Sequence, residues 1–339
     1  MNKTILVTGG AGYIGSHTVV LLLERGYDVI IIDNYSNSNK NVINRIRQIT
    51  KKTVETYDFD LRNYEKLDCF FGENSDIYAV IHFAGLKAVK ESIDDSLLYY
   101  DNNVGGTLNL LKAMEKYDIK NFIFSSSATV YSSENKMPVS ETSALGPINP
   151  YGQSKMMIEK ICEDIYKSNN SWNFIMLRYF NPVGAHPSGL IGEAPLEKPN
   201  NLMPYILEVM ASMLPYLTIY GKDYDTPDKT GVRDFIHVMD LAEGHISALE
   251  LDKKGYEIFN LGTGKGYSVL EIVKQMISST ERNIPYRFSK RRDGDVATVY
   301  ADTTKARDVL KWEAKLDLER MCKDSWNWKR KNINGYRSQ

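Results

Sequence analysis

Short apolar runs recur through the first half of the chain and alternate with stretches whose apolar residues fall at helical spacing. The runs are Ile5–Val7, Val29–Asp33, Thr53–Tyr57, Ala79–Phe83, Asn121–Ser125 and Phe174–Arg178. Consecutive apolar positions on a strand face both sides of its sheet, which suits a parallel sheet covered by helices on both faces. The intervening patterns predict helices at about 16–25, 41–50, 64–71, 95–117 and 150–168. This strand–helix rhythm predicts an α/β fold built on a doubly wound parallel sheet.

After about residue 180 the texture changes. Gly, Pro and Asn crowd the stretch from Asn181 to Pro204, and shorter elements follow. We therefore expect residues 1–180 to form the sheet domain and residues 181–339 a smaller C-terminal α/β domain that binds the substrate. Arg233–Leu249 and Glu257–Leu261 read as returns to the main sheet, placing the crossings near 233–262.

Composition narrows the class. Of 339 residues, 42% are hydrophobic and 25% charged, and the net charge is -1, ordinary for a globular enzyme and unsuited to a nucleic-acid partner. The triplet Lys290-Arg291-Arg292 is too short for a nucleic-acid patch but suits a small phosphate. Cys69, Cys162 and Cys322 are far apart and odd in number, so a reducing compartment is expected. The apolar N-terminal run is too short for a signal segment or membrane span, giving a cytoplasmic expectation with no membrane partner. His17, His82, His186, His237 and His245 show no metal-ligand spacing and read as structural.

The first strand leads into Thr8-Gly9-Gly10-Ala11-Gly12-Tyr13-Ile14-Gly15 and then a helix. Glycine is needed there for a tight turn, for close approach of a pyrophosphate and for packing of helix on strand. The helix start then offers free N–H groups to phosphate oxygens. The second strand ends in Asp33, where an acidic side chain accepts from a ribose 2′-OH and repels a 2′-phosphate, favouring NAD over NADP. Asp60 follows the third strand and is placed to accept from the adenine amine. Phe83-Ala84-Gly85 ends the fourth strand with small residues where the cofactor would cross.

Tyr151-Gly-Gln-Ser-Lys155 places Tyr151 and Lys155 on one face of a helix whose start is marked by Asn149 and Pro150. A phenol ionises near pH 10, and lowering that by about 3 units requires roughly 4 kcal/mol. An ammonium about 5 Å away supplies roughly 3 kcal/mol at an effective dielectric of 20. The positive ring of an oxidised nicotinamide would supply the rest, making Tyr151 a general base only with lysine and cofactor both present. Ser125-Ser126-Ser127 ends the fifth strand at the sheet's carboxyl edge, where a serine can bond the reacting hydroxyl.

These residues resemble the extended short-chain dehydrogenase/reductases, Rossmann-type enzymes, and within them the UDP-glucose (UDP-galactose) 4-epimerases. The resemblance spans nearly the whole chain. It rests on the glycine motif through His17, His82-Phe-Ala-Gly-Leu-Lys-Ala-Val89, Tyr100-Asp-Asn-Asn103, Ser125-Ser-Ser-Ala-Thr-Val-Tyr131, Pro150–Lys155, Leu177–Pro187, Asn200-Asn-Leu-Met-Pro204, Gly231-Val-Arg-Asp234 and Arg291-Arg-Asp-Gly-Asp295. It implies Tyr151 as base and acid, Ser127 as its hydrogen-bonding partner, and Lys155 as holder of the nicotinamide ribose. It implies cofactor contacts at Gly9, Gly12, Tyr13, Ile14, Gly15, Asp33, Asn34, Asp60, Leu61, Phe83, Ala84, Gly85, Lys87, Asn102, Tyr151, Lys155 and Tyr179. Substrate contacts fall on Ser127, Tyr151, Phe180, Asn181, Asn201, Leu202, Arg233, Arg292, Asp295 and Val299, with Arg forks suited to a diphosphate. The implied reaction oxidises the sugar C4 to a ketone with tightly bound NAD, turns the ketone over and reduces its other face.

Val299 departs from the family pattern, since strict UDP-glucose/UDP-galactose members carry a bulky tyrosine there. Valine leaves room beside the sugar C2, so UDP-GlcNAc and UDP-GalNAc are also expected as substrates. Ser132 and Gln153 replace a frequent Gly and Lys beside the site. Equivalent helices to 95–117 and 150–168 pair two subunits in relatives, implying a homodimer; core burial is the alternative. Two competing readings are a nucleotide-sugar 4,6-dehydratase, disfavoured because Ala128-Thr129 stands where that chemistry uses an Asp-Glu pair, and a non-catalytic NAD-binding regulatory protein, disfavoured because both Tyr151 and Lys155 are present.

Overall fold

The computed structural model describes residues 3–196, 199, 201–292 and 295–336; Asn200, Asp293 and Gly294, part of two motifs above, lie outside them. Thirteen strands are present among the described residues: β1 (Thr4–Thr8), β2 (Asp28–Ile32), β3 (Glu55–Tyr57), β4 (Ile77–His82), β5 (Asn121–Ser127), β6 (Asn173–Tyr179), β7 (Asn181–Val183), β8 (Leu217–Tyr220), β9 (Val232–His237), β10 (Tyr256–Leu261), β11 (Gly266–Ser268), β12 (Tyr286–Ser289) and β13 (Thr298–Val299). Seven form one sheet in the order β10-β6-β5-β4-β1-β2-β3, every neighbouring pair parallel.

Alternate residues of these strands enter two separate cores. Ile5, Val7, Ile31, Ile81, Ile123, Ile175 and Phe259 pack on one face, against Val19, Leu22, Ile46, Leu241 and Ile246. Leu6, Ile30, Val80, Phe122, Phe124 and Phe174 pack on the other, against Leu67, Phe71, Leu110, Met114 and Ile158. A strand buried on both faces has no room for the polar alternation of a half-exposed one, which is why the runs read as continuously apolar.

The covering helices are α1 (Tyr13–Glu24), α2 (Asn41–Thr50), α3 (Tyr64–Glu73), α4 (Val89–Asp94), α5 (Ser96–Tyr99), α6 (Gly106–Lys116), α7 (Pro150–Ser168), α8 (Leu202–Met210), α9 (Val238–Leu249), α10 (Val269–Thr280) and α11 (Leu318–Lys331). The helix expected at 95–117 is thus interrupted: between α5 and α6 the backbone is π-wound over Tyr100–Gly105. Such insertions re-aim side chains and gather at functional sites. Asn149 caps α7 by accepting from the Gly152 N–H at 2.9 Å, and Pro150 occupies the first turn, where its missing N–H costs nothing.

The two expected returns to the main sheet divide differently. Residues 256–261 do join it, β10 pairing with β6 in register from Tyr256↔Phe174 to Leu261↔Tyr179. The strand β9 does not, contrary to the expectation for Arg233 onward. It carries β11, β13 and β7 in a second, smaller sheet. Only the helix that follows, α9, covers the main sheet. Sequence could not separate these because β9 is apolar toward its end, as a main-sheet strand would be. Beneath this small sheet α8, α10 and α11 share a third core around Met203, Ile206, Ile272, Met276 and Met321. No helix among the described residues is long and apolar enough to cross a membrane.

Chain connections leave β1 toward β2 on one side and β4 leads to β5 on the other. The crevice between them opens at the strands' carboxyl ends, at Thr8 and Phe83, which are tied by the Phe83 N–H donating to the Thr8 carbonyl at 3.0 Å. Ligands bind at such switch points in open α/β sheets.

Candidate active site

The turn from β1 into α1 is built for close approach. Gly9 has φ 69°, and a Cβ there would lie 2.7 Å from the backbone nitrogen of Ala84. A Cβ on Gly15 would lie 2.3 Å from the Gly9 carbonyl oxygen, and one on Gly12 3.1 Å from the same atom. No side chain caps α1, so the amides of Tyr13, Ile14 and Gly15 lack intrahelical acceptors and face the crevice mouth as an anion cradle.

Asp33 lies beside it, nearly buried. Its Oδ1 accepts from the Tyr35 N–H and the Ser38 hydroxyl, both at 2.9 Å, and its Oδ2 from the Ala11 N–H at 3.0 Å. A carboxylate offers about four lone-pair sites, which leaves one for a ribose hydroxyl. Burial raises the Asp33 carboxyl, and the three donors oppose that. Asp60 is already saturated. It accepts from the Arg62 N–H (2.9 Å), Arg62 Nε and Nη2 (3.0 Å each) and Asn34 Nδ2 (2.8 Å), and the Arg62 guanidinium holds it down to about 2. An adenine amine would have to share or displace one of these donors. Leu61 is buried next to it.

Phe83, Ala84 and Gly85 continue from β4 into a loop pinned by Asn103. Its Oδ1 accepts from the Leu86 N–H at 2.8 Å, and its Nδ2 donates to the Leu86 carbonyl at 3.0 Å and to Ser154 Oγ at 3.1 Å. Asn102, which the motif pointed to, is half-buried beside it.

Tyr151 lies in the first turn of α7 and Ser127 ends β5. Ser127 Oγ accepts from the Thr129 N–H at 3.2 Å and from Thr129 Oγ1 at 2.9 Å. With both acceptor positions filled, its one proton is left free to turn toward Tyr151. Burial pushes the Tyr151 phenol up; the Ser127 hydroxyl and the Lys87 charge pull against it. Lys155, also buried, donates to the Ser125 carbonyl at 2.8 Å, and its Nζ is 5.9 Å from the Tyr151 ring centre. Burial lowers its ammonium to about 7, with Glu159 opposing. Lys155 is thus engaged with the Ser125 carbonyl while standing near Tyr151, and the Lys87 charge also bears on the phenol.

Tyr179 closes the back of the site. Its hydroxyl bonds the buried His245 Nε2, whose Nδ1 donates to the Leu241 carbonyl at 2.8 Å. The sequence assigned neither Thr129 nor His245, read as structural, to the site, since a serine–threonine strand end and a helix-facing histidine carry no signal of this pairing.

The chain passes from β6 straight into β7, so Phe180 and Asn181 sit where main sheet and small sheet meet. Phe180 packs with Val130, Tyr131, Val139 and Ala301, with Val299 against the same cluster. Val299 pairs with Arg233 in β9, and Arg233 Nη2 donates to Asp295 at 2.6 Å. Arg292 lies over the Tyr220 ring at 4.1 Å, while Arg291 is tied to Asp223. Asn201 precedes α8 without capping it through its side chain. Among the described residues no group of His, Cys, Asp or Glu is arranged to hold a metal ion.

A doubly wound sheet, a glycine cradle, a single free acceptor on Asp33 and a Tyr–Ser–Lys group at the sheet's carboxyl edge define a dinucleotide-dependent enzyme of the short-chain dehydrogenase type. Residues 5–262 match the model of the NAD dependent epimerase/dehydratase family. The chain is 55% identical over 336 residues to a UDP-glucose 4-epimerase of Bacillus subtilis, covering 98% of this chain and 99% of that one. It superposes with TM-score 0.95 and 50% identity on the UDP-glucose 4-epimerase of Bifidobacterium longum in complex with NAD+ and UDP, covering 98% and 100%. A UDP-Glc/GlcNAc 4-epimerase of Campylobacter jejuni is 35% identical, with TM-score 0.85 over 97% and 100%. The protein belongs to the NAD dependent epimerase/dehydratase family and, within it, to the UDP-glucose 4-epimerases.

Proposed function

We propose that this protein interconverts UDP-glucose and UDP-galactose by transient oxidation at the sugar C4. The carrying observation is the half-buried Tyr151, whose ring centre lies 5.9 Å from the Nζ of the buried Lys155, itself bonded to the strand end that carries Ser127. The cradle amides, Asp33 and Lys155 would hold NAD, which when bound supplies a hydride acceptor and a positive ring.

Tyr151 accepts the proton of the sugar 4-OH and later returns it. Its phenol is raised by burial, so it stays protonated until positive charge arrives next to it. Ser127 donates to the phenolate as it forms, which favours ionisation. Arg233, Arg292, Asn181, Asn201 and Leu202 hold the UDP part, leaving the sugar free to turn. Tyr151→Phe should abolish turnover of UDP-galactose while NAD remains bound; retained turnover would refute the role.

We propose further that N-acetylated sugars are accepted. Val299 packs against the same cluster as Phe180 and Ala128, and its side chain is shorter than a tyrosine would be there. Val299→Tyr should suppress UDP-GalNAc turnover selectively. The dehydratase reading gains no support, because Thr129 offers no carboxylic acid and is tied to Ser127.

Homodimer formation fits the exposed apolar residues Ile93, Leu97 and Met157 on the neighbouring helices α4, α5 and α7. Leu97→Glu should halve the mass seen by light scattering.

A further inference from the structure

One carboxylate near the site belongs to none of the roles above. Glu193 lies in the Gly- and Pro-rich loop after β7, with only 11% of its side chain exposed. Its Oε1 accepts from Lys87 Nζ at 3.0 Å and from Asn201 Nδ2 at 3.3 Å. Lys87, an expected cofactor contact, lies in the loop after β4. Asn201 is an expected substrate contact, and asparagine at that position ordinarily caps its helix, yet here its side chain turns to Glu193 and does not cap α8.

The backbone that presents Glu193 is fixed. Trp328 Nε1 donates to the Glu193 carbonyl at 3.2 Å, and the Gly192 N–H donates to the Tyr336 hydroxyl at 3.0 Å. A Cβ on Gly192 would lie 2.4 Å from the Trp328 ring, so the chain is seated as closely as glycine allows. A carboxylate held this firmly between two functional side chains dictates where both can go.

We propose that Glu193 is a positioning residue that yokes Lys87 to Asn201 and so links occupancy of the UDP site to the positive charge beside Tyr151. This rests on the epimerase reading. When UDP draws Asn201 away, Glu193 loses one donor and its hold falls wholly on Lys87. When Glu193 is absent, the Lys87 charge is no longer neutralised and acts on the phenol undiminished. The charged and titratable groups around Tyr151 are Lys87, Lys155, Tyr99 and Tyr179; those around Glu193 are Lys87 and Tyr13.

The test compares Glu193→Gln in the full-length protein with the parent, each also carrying Lys87→Met. Measured are kcat/KM for UDP-galactose against pH and the affinity for UDP by calorimetry. The yoke predicts that Glu193→Gln moves the acid limb of the profile to lower pH by about half a unit or more. It predicts no such move in the Lys87→Met background. Gln cannot accept as strongly, so UDP affinity should also change, by up to about five-fold. Superimposed profiles with equal UDP affinity, in a parent that turns over substrate, would overturn the yoke and leave the epimerase reading standing. So would a pH shift that persists without Lys87. A parent that binds UDP but converts no UDP-sugar would instead sink the epimerase reading, and with it the proposal.

Discussion

The Lys155 ammonium donates to the Ser125 carbonyl at 2.8 Å and stands 5.9 Å from the centre of the Tyr151 ring. Its primary bond is thus to the end of β5, the strand that also carries Ser127. The lysine fixes the strand end while its ammonium stands near the phenol ring.

Removing that bond should cost more than charge. Lys155→Met removes the donor to the Ser125 carbonyl, a charge-assisted bond worth about 1.5–3 kcal/mol. We expect at least a hundred-fold loss of kcat together with loss of bound NAD, read from the absorbance of cofactor released on denaturation. A variant with full cofactor content and unaltered kcat would contradict this assignment.

Thr129 should matter through Ser127. Thr129→Val keeps the backbone donor but removes the hydroxyl donor, so the Ser127 proton is free to point elsewhere. A roughly three- to ten-fold fall in kcat with little change in KM is expected, the size of one lost hydrogen bond of about 1 kcal/mol. Thr129→Ser should restore the rate. If valine and serine behave alike, the hydroxyl has no part in aiming Ser127.

The glycine cradle predicts a clear packing failure. In Gly15→Ala the new methyl meets the Gly9 carbonyl oxygen at 2.3 Å, a backbone atom that cannot step aside cheaply. Overpacking of this kind costs about 1–3 kcal/mol. The variant should purify without NAD and melt several degrees lower; calorimetry and cofactor content would show both effects or refute them.

Acid should destabilise the protein through buried imidazoles. Burial lowers His17 and His82 to about 3 and His245 to about 4. Each folded value lies below the unfolded one near 6.5, so the unfolded chain binds more protons once the pH drops below that. Stability is therefore full above pH 6.5 and falls as pH decreases toward 4. Three such groups give a slope of about 4 kcal/mol per pH unit near pH 5. His245→Gln should reduce the slope by about a third in urea titrations; an unchanged slope would mean that His245 is not held neutral.

Much of the site was legible because its chemistry forces residue types into local spacing. Gly12 and Gly15 are required by contacts within one turn, Gly9 by the left-handed backbone of that turn, and Tyr151 and Lys155 by one helix face. Asn149 and Pro150 announced the start of α7 through capping alone. What remained hidden depends on contacts between distant segments. Glu193 meets Lys87 across 106 residues and Tyr179 meets His245 across 66, and no periodicity records such meetings. The small sheet around β9 escaped for a related reason: short strands paired with distant partners look the same as strands of the main sheet. The break in the helix at 95–117 was invisible because Tyr100–Gly105 differs from an α-turn by one hydrogen-bond step, not by residue type.

The most direct test is to incubate the purified protein with UDP-galactose, with no cofactor added, and follow UDP-glucose by anion-exchange chromatography. The account predicts conversion to an equilibrium mixture, with NAD recovered from the denatured protein afterwards. Protein that carries NAD yet leaves UDP-galactose unchanged would contradict it.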